Sequence, residues 1–212
     1  MAAVNSSDVY SSISLVACAA AMVLTLSACG TDAETSSATT PSVAEAASSS
    51  VPETATVAAG GCPTVAPAEV GTPEWTLPGA SGSVAVSGST DATAPYVKVD
   101  APFTVTDTQV RTLQAGDGPV VADTATVSVC YMGVNGRDGT VFDSSYEQGA
   151  PVEFPLDGVV PGFQKAIAGQ TVGSTVAVAM TSADGYPEGQ PGAGILPGDT
   201  LIFAIKILDA SS

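Results

Sequence analysis

The feature that most limits the fold is an alternation that recurs along the second half of the chain. In the run Thr126 to Met132, Val127, Val129 and Tyr131 fall on one side, and Thr126, Ser128 and Cys130 on the other. In the run Thr200 to Leu208, Leu201, Phe203, Ile205 and Ile207 share a face. Successive side chains in a strand point to opposite faces, so both runs read as strands with one core face. On this pattern Tyr131 faces the core and Cys130 faces outward. Residues 96–99, 105, 108–113, 140–142, 152–154 and 172–180 add shorter strand material, separated by turns such as Gln114-Ala115-Gly116-Asp117-Gly118-Pro119. Only one stretch in this half has a helical period. Pro161 suits a helix start, where an N–H donor is not needed, Phe163, Ala166 and Ile167 fall on one face, and Gly169 is the stop. The sum is an α+β arrangement, a mainly antiparallel sheet with one short helix on its apolar face.

Charge narrows the function. Across 212 residues there are 21 Asp plus Glu, five Lys plus Arg and no His, a net charge of −16. That balance speaks against nucleic acid as a partner, which needs a basic patch. The lack of histidine excludes histidine-based catalysis and histidine metal ligation. Two thiols without histidine make a poor metal site, so none is expected.

Residues 1–28 read as a targeting segment. Residues 13–28 are nearly all apolar or small, short for a membrane span of about 20 residues. They lead into Leu26-Ser27-Ala28-Cys29, which resembles a bacterial lipobox. That resemblance implies a lipid on Cys29, a protein tethered outside the cytoplasm, and membrane contact only through the anchor. An ordinary secretory signal, with a secreted product, and an uncleaved anchor are the alternatives. No Lys or Arg precedes the apolar run, where a signal normally carries positive charge. Residues 29–61, rich in Ser, Thr and Ala, read as a disordered tether, spanning about 30 Å as a flexible coil. Residues 62–95 are punctuated by Pro63, Pro67, Pro73, Pro78 and Gly79, and read as an irregular extension lying on a domain of residues 96–212. A short strand at Val84-Ala85-Val86 is the one exception considered. If Cys29 is acylated and Cys18 removed with the signal, Cys62 and Cys130 are left as the disulfide pair.

Several pieces in the second half carry a family resemblance. They are Tyr131-Met132-Gly133, Thr140-Val141-Phe142-Asp143-Ser144-Ser145, Val159-Val160-Pro161-Gly162-Phe163, Tyr186, Ile195-Leu196-Pro197 and Asp199-Thr200-Leu201-Ile202-Phe203. In this order and spacing they resemble the FKBP-type peptidyl-prolyl cis-trans isomerases over about residues 95–208. The resemblance implies a curved antiparallel sheet of about five to six strands wrapped around one short helix, with a proline pocket between them. It assigns Tyr131, Phe142, Asp143, Val160 and Tyr186 to catalysis, and Phe154, Val159, Phe163, Ile195 and Phe203 to substrate binding. Phe163 stands at the floor, where the family most often has tryptophan. It further implies action on proline-containing polypeptides without a cofactor, with macrolides as possible inhibitors; a monomer is expected. Taken singly, Phe142, Phe154, Phe163 and Phe203 would be core residues in any β-rich fold, and Asp143 a turn or cap residue.

Overall fold

A computed structural model of the chain describes residues 60–68 and 71–211. The targeting segment, Cys29 and all but the last two residues of the tether lie outside these residues. The main layer is a six-stranded antiparallel sheet. Its strands are β4 (Gln109–Gln114), β5 (Thr126–Asn135), β6 (Val141–Ser144), β7 (Val152–Pro155), β8 (Thr175–Met180) and β9 (Leu201–Ser211). The order is β4-β8-β9-β5-β6, and β7 also pairs with β5. One edge of β5 is thus shared. Its first residues pair with β7 and its last with β6, while β9 runs along the whole of its other edge.

Helix α2 (Pro161–Ile167) lies on one face of this sheet. It buries Phe163, Ala166 and Ile167, the face given by its periodicity. Gly162 is buried as well. A Cβ there would stand 2.8 Å from Met180 Cβ and Sδ, so glycine lets α2 approach β8 closely. Past the helix, Gly169 takes a positive φ of 79°. The core between helix and sheet holds Val127, Val129, Val176, Val178, Met180, Leu201, Phe203, Ile205 and Ile207. Burying one such aliphatic or aromatic side chain contributes about 1.5–3 kcal/mol.

The segment before residue 96 differs from expectation. It is not irregular: β1 (Trp75–Pro78) and β2 (Ser81–Ser87) form a three-stranded antiparallel sheet with β3 (Tyr96–Thr104). β3 pairs with β2 and with no strand of the main sheet, so a boundary at residue 95 would cut this small sheet in two. The physical cause is visible in the opposite face of the main sheet. Ala177 and Ala179 of β8, Ile202 and Ala204 of β9 and Val134 of β5 form a second apolar layer. Val84, Val86 and Phe103, all fully buried, cover it with Trp75 and Leu77 beside them. Cys130 faces away from α2 as its alternation requires. It is buried rather than exposed, because the chain around Cys62 lies over it. Cys62 and Cys130 form a disulfide, with Cα atoms 5.6 Å apart.

A four-residue helix, α1 (Ser145–Gln148), sits between β6 and β7 and is an addition to the single expected helix. Its Tyr146 is 2% exposed and donates a hydrogen bond to Ser89 Oγ at 2.8 Å. Gly149 closes it in the left-handed conformation, φ 69°.

Candidate active site

The split edge of β5 creates the site. β6 and β7 end short of each other, and the chain between β7 and α2 crosses the sheet face as a 3-10 turn, Leu156–Gly158, before Pro161 starts the helix. Between these elements opens a cavity of about 380 Å³. Its walls are Tyr131 from β5, Phe142 and Asp143 from β6, Phe154 from β7, Gly158, Val159 and Val160 before α2, Phe163 from α2, Tyr186 and Phe203.

The rings meet mostly edge to face. Phe163 lies 5.2 Å from Phe203, 5.3 Å from Phe154 and 5.9 Å from Tyr131 between ring centroids, with interplanar angles of 89°, 69° and 88°. Phe142 meets Phe203 at 5.6 Å and 89°. Such contacts set the positive edge of one ring against the negative face of the next, which fixes the rings relative to one another. Phe163 and Phe203 are each 5% exposed and form the base, while Phe142, Phe154 and Tyr131 are half-buried and form the walls. Gly133 makes this packing possible. A Cβ there would stand 2.7 Å from Phe142 Cζ and 2.9 Å from Phe203 Cε1.

Polar groups are few and directed. The Tyr131 hydroxyl donates to Asp143 Oδ2 at 2.5 Å. Burial, then the hydrogen bond to Asp143 and the negative charge beside it, push the Tyr131 phenol well above its ordinary value, so it stays protonated as a donor. The backbone under this pair is pinned. The Tyr131 N–H donates to Ser145 Oγ at 2.9 Å, and Ser145 is 1% exposed. Val160 precedes the first residue of α2, where N–H groups lack intrahelical partners, and the next residue, Pro161, has no N–H. Among the described residues the Val160 N–H and the Tyr186 hydroxyl donate to no other group.

The structure brings Tyr131, Phe142, Asp143, Phe154, Val159, Val160, Phe163, Tyr186 and Phe203 to one cavity. Ile195 is the exception. It is 1% exposed and belongs to the main core. The paired backbone bonds between Gln190 and Ile195, 2.8 and 3.1 Å, close the loop there, and Ile195 is not among the residues that line the cavity. Sequence reasoning missed the spacer role of Gly133 and the pinning role of Ser145. The glycine two positions after Tyr131 and the hydroxyl pair after Asp143 were the available signals. Among the described residues no group of three or more His, Cys, Asp or Glu side chains is placed to hold a metal.

A family model described as FKBP-type peptidyl-prolyl cis-trans isomerase matches residues 118–208. The FKBP-type 22 kDa peptidyl-prolyl cis-trans isomerase of Escherichia coli K12 is 41% identical over 101 residues, 48% of this chain and 48% of that protein. The FK506-binding protein of Streptomyces anulatus is 34% identical over 105 residues, 48% of this chain and 85% of that protein. A probable FK506-binding protein of Corynebacterium glutamicum is 33% identical over 105 residues, 49% of this chain and 87% of that protein. The chain therefore spans about half the length of the Escherichia coli relative and most of the length of the other two. The crystal structure of FkpA from Escherichia coli aligns with 49% of this chain and 48% of that one, with 34% identity and a TM-score of 0.45. All the cavity walls lie within the matched residues, and on these matches the chain belongs to the FKBP-type peptidyl-prolyl cis-trans isomerase family.

Proposed function

We propose that this chain accelerates cis-trans rotation about X–Pro bonds in proteins that fold outside the cytoplasm. The observation that carries the reading is the aromatic cavity, walled by six rings and Val159 and Val160, with the Val160 N–H and the Tyr186 hydroxyl at its rim donating to no other group among the described residues. The barrier to rotation, about 18–20 kcal/mol, comes from amide resonance. As the C–N bond twists it loses double-bond character, and the carbonyl loses dipole. A cavity that replaces water with ring faces solvates the planar, more dipolar imide poorly and the twisted one comparatively well. This is selective binding of the transition state, and it needs no nucleophile. Proline is the substrate residue because X–Pro bonds populate both isomers and interchange slowly.

In this reading the Val160 N–H and the Tyr186 hydroxyl orient the substrate carbonyls, and the pyrrolidine ring stands on Phe163. The Tyr131 hydroxyl fixes the Asp143 carboxylate beside the reacting carbonyl. Two of the relatives are named for binding FK506, which supports a macrolide inhibitor as an alternative ligand of this cavity. The lipobox resemblance at Cys29 supports an exported form tethered to the membrane. Cys29→Ala should then release the protein into the medium, and retention on the membrane would remove the lipid anchor from the reading.

A protease-coupled isomerisation assay on a short X–Pro peptide tests the activity. A rate equal to the uncatalysed background, from a protein shown to be folded, would leave a non-catalytic binder of proline segments as the function.

A further inference from the structure

Two walls of the cavity are tied together by charge at a point no rim residue occupies. Asp184 ends the 3-10 turn Ser182–Asp184, two residues before Tyr186. Its two carboxylate oxygens each accept from Lys165 Nζ at 2.8 Å. Oδ2 also accepts from Thr108 Oγ1 at 2.5 Å, and Thr108 Oγ1 in turn accepts the Thr181 N–H at 3.2 Å. Lys165 stands on α2 two residues after Phe163, and Thr108 stands just before β4. One carboxylate thus joins the helix, the sheet edge and the Tyr186 loop.

The same loop is braced from inside. Ser182 Oγ donates to Tyr186 O at 3.2 Å and accepts the Gly198 N–H at 3.2 Å. Gly189 N–H donates to Tyr186 O at 3.0 Å. The Tyr186 hydroxyl itself has no partner among the described residues, so its place over the cavity is set by the loop that carries it. From this geometry we propose that Lys165, Asp184 and Thr108 form a latch that holds the Tyr186 loop against α2, which makes Asp184 a positioning residue for substrate binding. The proposal deepens the isomerase reading above and rests on it for its effect on substrate. The Lys165 side chain is 56% exposed and that of Asp184 22%, so the pair is open to screening, and a modest effect is expected.

The test uses the full chain and the peptide Ala-Leu-Pro-Phe carrying a p-nitroanilide. Asp184→Asn keeps the size of the side chain and an acceptor for Thr108, but loses the charge. It should raise KM about two- to five-fold, with kcat changed less. Lys165→Met should do the same, and the double variant should be no worse than either single one. In a Tyr186→Phe background, Asp184→Asn should leave KM unchanged. Independently of turnover, amide exchange at Gly185 and Gly189 should quicken in Asp184→Asn at unchanged Tm. Unchanged exchange and KM, or a KM effect that persists in full without the Tyr186 hydroxyl, would overturn the latch. A wild-type rate at background, with exchange still dependent on Asp184, would instead remove the isomerase reading and leave the latch standing.

Discussion

Removing the disulfide is the perturbation whose magnitude follows most directly from the structure. Cys62 and Cys130 are 68 residues apart in sequence, and both are buried, at 3% and 1% exposed. Closing a loop of that length in the unfolded chain costs it conformational entropy worth about 4 kcal/mol at 25 °C on the chain-entropy model. For a domain of about 150–250 residues, 1 kcal/mol moves Tm by about 2–4 °C, so Cys62→Ala with Cys130→Ala should lower Tm by about 8–16 °C. Two backbone bonds would still hold the segment, from Cys62 N–H to Gly149 O at 3.2 Å and from Ala94 N–H to Val65 O at 2.8 Å. The outer sheet should stay docked, because Val84, Val86 and Phe103 are buried independently of the bridge. Thermal melts of wild type and double variant, with amide exchange over residues 81–104, check both halves. A Tm within about 2 °C of wild type, or loss of exchange protection in the outer sheet, would refute the view that the bridge acts on the unfolded chain and staples only the leading segment.

Other outcomes follow from the site. Phe142→Ala with Asp143→Asn should abolish turnover while the fold survives, since Phe142 is half-buried and Asp143 exposed; full activity with an intact melt would place the site elsewhere. Gly133→Ala should displace Phe142 or Phe203, cost about 1–3 kcal/mol in denaturant melts and lower kcat/KM; unchanged values would show that the rings yield freely. Burial raises the Tyr146 phenol to about 12 in the folded chain. A raised acid contributes stability that is complete below its unfolded value near 10 and is lost as pH climbs through the folded one. Melts between pH 9 and 12 should therefore show stability falling, and Tyr146→Phe should flatten that limb. An equal slope in the variant would assign the loss to other groups.

Much of the site was legible because each piece had a local cause. The alternation in β5 put Tyr131 on the face toward α2, Pro161 marked the helix start, and the period of Phe163, Ala166 and Ile167 gave its buried face. The outer sheet was harder to see. Residues 62–95 contain enough Pro and Gly to read as punctuation, and strands of four and seven residues leave little room for a period. The better signal lay elsewhere, in β8. Thr175-Val176-Ala177-Val178-Ala179-Met180 is buried throughout, and a strand apolar on both faces asks for cover on both. Ile195 lies off the cavity wall for a different reason. A loop residue's direction depends on how the loop closes, here through Gln190, and no periodicity encodes that. The latch at Asp184 joins residues 19 and 76 positions apart, and only the folded chain brings them together.

The divided margin of β5 bears on how a chain proposed to handle unfolded polypeptides would avoid being held by them. Unfolded polypeptides zip readily onto an open ladder of N–H and C=O groups, and a long free strand beside the cleft would invite them to stay. β6 and β7 are four residues each, with a helical turn interposed, so no visitor finds a continuous rail there. On the proposed isomerase reading, a guest held at one ring and a few donors would be free to depart once its bond has turned.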